Sequence, residues 1–199
     1  MVYGRAGEEV LYFRLHGIEP VVIPGVSSAL AAPIFAGIPV TQRGVAESFA
    51  VCTGVGRQGK EVRLPGYERG RTLVIMMGVA RLTQVIGALL EPTSSSTKRD
   101  GPVYPGYLPI ALIERGSMPD QRVVSSTLQN IVAAHESVGE QRPPGMFVVG
   151  WAVLALWGEG DVGVLEEGAD GNDEERVKKW LGDERWRVKE GLDVDWENL

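Results

Sequence analysis

The chain has 199 residues, a formal net charge of −6 and 44% hydrophobic residues. This composition predicts a folded core, and it excludes a globally basic surface of the kind that holds nucleic acid. No apolar run approaches the roughly 20 residues that cross a bilayer, and charged side chains at Arg5, Glu8 and Glu9 argue against a signal peptide. Cys52 is the single cysteine, which excludes an intramolecular disulfide and a thiolate zinc cluster. We therefore expect a cytoplasmic protein without a metal.

The hydrophobic pattern predicts strands separated by helices, which is typical of an α/β layer fold. The first part of the chain predicts a helix over 8–16, a short buried strand over 20–23 and a helix over 29–36, capped by Ser27 or Ser28. Further apolar or alternating runs predict strands at 48–53, 72–77, 108–113, 121–125 and 146–149, with helices over 82–89 and 128–135 between them.

The polar segments divide into two loops and a C-terminal tail. Residues 54–70 are rich in glycine and contain a G-x-G-x-x-G match that no helix pattern follows, so we predict a loop. Residues 91–105 are rich in Ser, Thr, Pro and Gly and predict an exposed connection. From about residue 159 acidic residues dominate, and 173–189 is a charged helix candidate. We expect this tail to be a solvated appendage whose tryptophans dock on the body.

The chemistry-bearing motifs of common enzymes are absent from the sequence. There is no nucleophile elbow and no phosphate-binding P-loop, and His16 and His135 each lie near the end of a predicted helix, where they suit the helix dipole. No catalytic residue is predicted. Four turns follow candidate strands, and in open α/β sheets ligands bind at the carboxyl ends of strands. These turns are residues 24–28, 53–54, 76–78 and 115–117.

Five segments occur in the order and spacing of one enzyme family. They are residues 3–9 (YGRAGEE), 22–29 (VIPGVSSA), 37–43 (GIPVTQR), 72–78 (TLVIMMG) and 111–122 (ALIERGSMPDQR). In these segments the chain resembles the uroporphyrinogen-III C-methyltransferases of the tetrapyrrole (precorrin) methylase family, and the tail is similar to that of fungal members. The shared pattern runs to about residue 156 and does not include the tail.

The resemblance implies a tetrapyrrole methylase fold with two α/β domains, the first of them truncated. Residues 1–40 would be the C-terminal part of the first domain and 41–47 a linker. Residues 48–156 would form the second domain, followed by an acidic extension over 157–199. The family's glycine-rich cofactor loop, its G-D-P turn and an acidic residue would all precede residue 1. We therefore expect a C-terminal fragment that is inactive alone.

The resemblance also implies a cofactor and a site. S-adenosyl-L-methionine would bind between the domains, largely through main-chain groups, at Ser27, Ser28, Met77 and Gly116. The reaction would convert uroporphyrinogen III to precorrin-2 for sirohaem synthesis. Arg5, Arg43 and Arg122 are then candidates for binding the substrate's carboxylates, because guanidinium groups pair with carboxylates in a bidentate manner.

The implied partners are the tetrapyrrole and, at full length, a second copy in a homodimer, with no nucleic acid or membrane. Three positions depart from the family pattern. Gln42 and Val55 stand where histidine is usual, and Met76 stands where tyrosine is usual.

Two alternatives remain open. A sister enzyme of the same fold could methylate another precorrin, diphthine or ribosomal RNA, although net acidity argues against RNA and residues 37–43 with Gln121 and Arg122 favour uroporphyrinogen III. The second alternative is a non-catalytic remnant or a partial gene product of such an enzyme.

Overall fold

The computed structural model describes residues 2–60, 62–92, 99–193 and 196, and of Arg57 only the backbone. Within these residues the α-helices are Ala6–Leu15 (α1), Ser28–Phe35 (α2), Leu82–Leu90 (α3), Ile131–Ser137 (α4) and Asp173–Leu181 (α5). The strands are Ser48–Thr53 (β1), Leu64–Pro65 (β2), Arg71–Met76 (β3), Arg99–Asp100 (β4), Pro109–Glu114 (β5), Arg122–Thr127 (β6), Gly145–Val149 (β7) and Trp186–Glu190 (β8).

Six of the strands form one mixed sheet in the order β1-β3-β7-β5-β6-β8. The β1–β3 pair is parallel and the other four pairs are antiparallel. It follows that β1, β3, β5 and β8 run in one direction and β6 and β7 in the other. The carboxyl ends of β3 and β5 therefore meet the amino end of β7 at a single edge of the sheet. A separate pair, β2 and β4, lies outside this sheet.

The five longer strands predicted from apolar runs are confirmed within about two residues. Their side chains form the core because β3, β5 and β7 are almost entirely buried, as expected of inner strands covered on both faces. Helix α3 buries five apolar side chains, and α4 packs against β6. The predicted connection 91–105 lies partly outside the described residues, at 93–98, and its following residues form β4.

The amino-terminal segment is arranged differently from the core. Helix α1 forms, but none of its residues is buried. The strand predicted over 20–23 is wrong: these residues have no regular structure, and Val21 and Ile23 are more than 80% exposed. A strand is stabilised by its ladder to a neighbour, and no described strand lies beside this segment. No helix in the described ranges is long and apolar enough to cross a membrane.

The acidic C-terminal extension is integrated into the sheet. Trp180 and Trp186 of the predicted helix pack on the body as expected, with Trp180 4% exposed, but β8 also pairs with β6 along five residues. The charged helix predicted over 173–189 is corrected: α5 ends at Leu181, Gly182 adopts a positive φ of 66°, and the chain turns into β8. The segment is therefore a structural layer of the body and not a solvated appendage.

A buried ion-pair network holds the extension in place. Asp173 accepts hydrogen bonds from both terminal nitrogens of Arg69, at 2.6 and 2.7 Å. The Arg69 guanidinium also lies 5.3 Å from the ring centre of buried Trp151. Arg176 joins Asp173 to Asp161. Because the Asp173 side chain is only 3% exposed, this carboxylate depends on its arginine partners.

Candidate functional site

A cavity of about 360 Å³ lies at the sheet edge where β3 and β5 end and β7 begins. Its size falls within the range of small-molecule sites. The register explains how the walls meet, because Met146 of β7 pairs with Met76 on one side and with Ile113 on the other. The lining consists of Ser28, Ala32, Met76, Met77, Val79, Ala80, Ile113, Gly116, Gln141, Pro143, Pro144, Gly145 and Met146.

The cavity brings together three of the four residues predicted to bind the cofactor. Ser28 comes from the first turn of α2, Met77 follows β3 and Gly116 follows β5. Ser27 is adjacent in sequence but is not part of the lining. Its hydroxyl accepts a hydrogen bond from the backbone N–H of Ala29 at 3.3 Å and caps α2. The Ser27 side chain therefore positions the helix that carries Ser28.

The turns around the cavity hold unusual backbone conformations. Met77, Arg115 and Ser117 have positive φ angles of 56°, 51° and 71°. Such left-handed conformations are disfavoured for residues with a Cβ, and they cluster at ligand and active sites. Two of the three residues directly flank Gly116. The strain therefore marks the same two turns that the sequence singled out.

Two glycines allow these turns to approach their neighbours closely. A Cβ on Gly116 would lie 2.7 Å from the Ala32 Cβ of α2. A Cβ on Gly78 would lie 2.8 Å from the Phe147 ring of β7. Any side chain at either position would push a turn away from the sheet edge, so the cavity depends on glycine at both.

Gln121 joins the turn after β5 to α2. Its side chain is fully buried, accepts from the Ser117 N–H at 2.9 Å and donates to the Phe35 carbonyl at 3.2 Å. In the sequence, Gln121 is recognisable only as part of a motif. Its structural role could not be deduced without knowing that α2 ends beside this turn.

The fourth predicted turn, residues 53–54, does not contribute to this cavity. Gly54 packs against Gly78, but Thr53 and Gly54 line a separate cavity of about 50 Å³. The neighbouring thiol is not an activated nucleophile, because burial raises the pKa of Cys52.

The cavity lining contains no titratable side chain. Among the described residues there is also no cluster of three or more His, Cys, Asp or Glu side chains that could hold a metal. Such a site can bind a ligand by shape, backbone groups and thioether contacts, but it supplies no acid or base of its own. The wall formed by Pro143, Pro144 and Met146 could not be predicted from the sequence, because it depends on the direction of β7.

The three predicted substrate arginines are not brought together at the cavity. Arg5 pairs with Glu8 on exposed α1, and that hydrogen bond raises the pKa of its guanidinium. Arg43 is exposed in the turn that joins α2 to β1. Neither lines the cavity, and both have guanidinium groups within reach of solvent.

Arg122 requires a correction, because its side chain is only 1% exposed and its donors are occupied. It binds the fully buried carboxylate of Glu114, its register partner on β5, at 2.6 Å. Its two terminal nitrogens donate to the carbonyls of Val138 and Glu140. His135 lies 3.6 Å from the same carboxylate. Arg122 is therefore part of a structural ion pair and is unavailable to a substrate.

The geometry defines an α/β protein with a cavity built from strand-end turns, and comparisons with known proteins agree with this fold class. The family model of Tetrapyrrole (Corrin/Porphyrin) Methylases matches residues 1–132. The chain belongs to the tetrapyrrole methylase family.

Its relatives are longer than this chain. It is 44% identical over 155 residues to a probable uroporphyrinogen-III C-methyltransferase of Schizosaccharomyces pombe, covering 78% of this chain and 29% of that protein. It is 40% identical to the uroporphyrinogen-III C-methyltransferase of Saccharomyces cerevisiae, covering 98% of this chain and again 29% of the relative.

A solved structure shares the fold. It is the uroporphyrin-III C-methyl transferase of Thermus thermophilus complexed with S-adenyl homocysteine, at 34% identity and a TM-score of 0.60. The match covers 83% of this chain and 65% of that one. The chain thus spans less than a third of the yeast enzymes and about two thirds of the bacterial enzyme.

Proposed function

We propose that this chain forms part of the S-adenosyl-L-methionine site of an enzyme that methylates uroporphyrinogen III to precorrin-2, a step toward sirohaem. The observation that carries this proposal is the single cavity shared by Ser28, Met77 and Gly116 at the carboxyl ends of β3 and β5. The similarity to a bacterial enzyme complexed with S-adenyl homocysteine supports the choice of cofactor.

The lining suits a large and partly apolar cofactor. Thioethers of Met76, Met77 and Met146 give a polarisable wall for an adenine ring. The turn at Gly116 leaves its main chain accessible, so backbone groups there would recognise the ring edge. Ser28 lies in the first turn of α2, where the positive end of the helix dipole favours a carboxylate such as that of the methionine part.

The absence of titratable groups from the lining fits the chemistry. The cofactor supplies an activated methyl group: its sulfonium S–CH3 bond breaks as a bond to a nucleophilic pyrrole carbon forms, S-adenosylhomocysteine leaves, and the methylated tetrapyrrole loses a proton, for which this lining offers no base. The protein then needs to align donor and acceptor and to exclude water, and alignment alone can contribute about 7–11 kcal/mol. Backbone turns held by side-chain hydrogen bonds, such as the two that Gln121 makes, supply such alignment.

The substrate's carboxylates require cationic partners. Arg5 and Arg43 remain the candidates in this chain, since the guanidinium of Arg122 is enclosed. Because the relatives are longer than this chain, other parts of a longer enzyme would complete the cleft. We expect that enzyme to be a homodimer and this 199-residue chain to give no precorrin-2 when it is supplied with both substrates.

Titration calorimetry with S-adenosylhomocysteine tests the cofactor site directly. We expect the chain to bind it and Gly116→Val to lose at least about tenfold in affinity, because the new side chain meets Ala32. Gly171→Val is the matched control, since a Cβ there meets nothing within 4 Å. Equal loss in both variants, or no loss in Gly116→Val, would contradict the site. Absence of binding by the unmodified chain would favour a non-catalytic remnant.

A further inference from the structure

A second and larger cavity, of about 900 Å³, lies away from the candidate cofactor site and shares no lining residue with it. Its floor is one face of the β6–β8 pair, including Val123 and Ser125. The segment after α2, the turn over 153–157 and the end of α5 form its sides. Eight of the fifteen lining residues belong to the C-terminal extension, which lies beyond the pattern shared with the family as a whole.

The walls of this cavity are largely apolar and aromatic. Ile38, Val153 and Leu156 contribute aliphatic surface, while Trp157 and Trp180 contribute indole rings. Trp157 lines the cavity and is 53% exposed, so part of its ring is accessible to a ligand. Exposed aromatic surface within a concave site is typical of ligand recognition.

Arg187 is the distinctive polar group of the cavity. Its guanidinium carbon lies 4.1 Å from the centre of the Trp157 ring, which fixes the plane of the side chain. Its Nη1 is buried and has no hydrogen-bond partner among the described residues. An unpaired buried donor is costly, most of all on a charged group. An acceptor that enters the cavity would satisfy it.

The charge around Arg187 favours an anion. Arg185 and Lys189 also line the cavity, against a single acidic lining residue, Glu184. Lys189 is partly neutralised by Asp193 at 3.1 Å. Arg185 is exposed, and the bond it makes with Ser126 uses its backbone carbonyl, so its side chain stays available.

We propose that this cavity binds a small planar aromatic carboxylate. The carboxylate would accept from Nη1 of Arg187, and the aromatic body would lie against Trp157 and the aliphatic wall. Guanidinium and carboxylate match in geometry and charge, whereas a purely polar anion would leave the apolar walls without a partner. The proposal is independent of the methyltransferase function, because it rests on residues outside the cofactor cavity.

Two matched probes test this site, 1-pyrenebutyrate and the neutral 1-pyrenebutanol. Binding to the full chain is followed by energy transfer from tryptophan to pyrene and by calorimetry. We expect the carboxylate to bind about 10- to 100-fold more tightly than the alcohol, as one charge-assisted hydrogen bond allows. Arg187→Gln should remove that preference. Arg63→Gln, which changes an exposed arginine paired with Asp100, should preserve it.

A second variant tests the cavity without changing Arg187, in case Arg187→Gln does not fold correctly. Ser125 lies opposite Arg187 across the strand pair, so Ser125→Leu fills the cavity and leaves the guanidinium intact. It should weaken both probes at an unchanged circular dichroism spectrum. Equal affinity for the two probes, a preference that survives Arg187→Gln, or full binding by Ser125→Leu would each overturn the proposal.

Discussion

The amino-terminal segment, residues 2–27, and the six-stranded sheet differ in how much of their side-chain surface is buried. The segment contains a well-formed helix, α1, without one buried residue, and Leu11, Leu15 and Ile23 point largely into solvent. The Tyr3 hydroxyl ties the segment to the sheet by donating a hydrogen bond to the Val51 carbonyl at 3.0 Å. The sheet buries nearly every residue of β3, β5 and β7. A well-formed helix is therefore not necessarily a stable one, because most of the stability of a helix in a protein comes from packing against its neighbours.

The largest effect should come from matched arginine–glutamate pairs in the two regions. Glu114→Ala leaves the buried guanidinium of Arg122 without its partner, and we expect the free energy of unfolding to fall by about 3–5 kcal/mol. Glu8→Ala removes the partner of Arg5, whose side chain is 83% exposed, and should leave the urea midpoint unchanged. If the two variants shifted the midpoint equally, the contrast between the regions would fail.

Leucine truncations make the same comparison without charge. Leu112→Ala in β5 opens a cavity at a fully buried position and should cost about 2–5 kcal/mol. Leu15→Ala at the end of α1, where the side chain is 85% exposed, should cost almost nothing. Urea denaturation measures both losses, provided that the m value, the dependence of the unfolding free energy on urea concentration, is the same in each variant. A measurable loss in Leu15→Ala would show that α1 packs against something in solution.

A substitution at Asp173 shows whether the C-terminal extension unfolds together with the sheet. Asp173→Asn weakens the hydrogen bonds from Arg69 and Arg176 and should cost about 1–3 kcal/mol in the single unfolding transition of the sheet. Asp170→Asn is the control on an exposed neighbour. If the main transition is unchanged and the amides of α5 and β8 lose their protection from hydrogen exchange separately, the extension resembles the amino-terminal segment and not the sheet.

Tyr104 gives the smallest effect at neutral pH and a distinct one in alkali. Burial raises the pKa of its phenol to about 12, and the hydroxyl donates to the carbonyls of Pro65 and Gly66. The folded state thus holds this proton more tightly than the unfolded chain, whose phenol titrates near pH 10. Its contribution is complete below about pH 10 and is lost as the pH rises toward 12.

Tyr104→Phe should therefore cost about 0.5–1.5 kcal/mol at pH 7 and flatten the fall in stability above pH 10. The free energy of unfolding measured from pH 8 to 12 in both proteins checks this. Parallel curves for Tyr104→Phe and the unmodified chain would show that other groups control the alkaline transition.

The strands were predictable where burial leaves an uninterrupted apolar pattern, as in β3 and β5. The strand expected at 20–23 failed because an apolar run indicates burial only when a partner is present. Strand β8 was not predicted, because it has a neighbouring strand but lacks an apolar run. Its sequence, with Arg187, Lys189 and Glu190, is that of an exposed edge strand, and charged alternation of this kind also suits a helix.

The candidate site was predictable as far as strand ends could be recognised. Met77 and Gly116 follow two strands of one direction, so they meet at one sheet edge. Arg122 was predicted to bind the substrate because the sequence does not reveal the strand register. Glu114 is eight positions earlier in the chain, yet it lies directly opposite on the adjacent strand. Long-range pairing of this kind decides whether an arginine serves the fold or a ligand.

The pairing of β8 with β6 also sets an order of events during synthesis. Strands β1 to β7 leave the ribosome first, and at that stage the outer ladder of β6 lacks its neighbour. An uncovered ladder is a template for pairing with another chain. At translation rates of about 5–20 residues per second, the interval between Thr127 and Glu190 lasts several seconds. While α5 and β8 are still being synthesised, that ladder of β6 remains open to pairing with another chain.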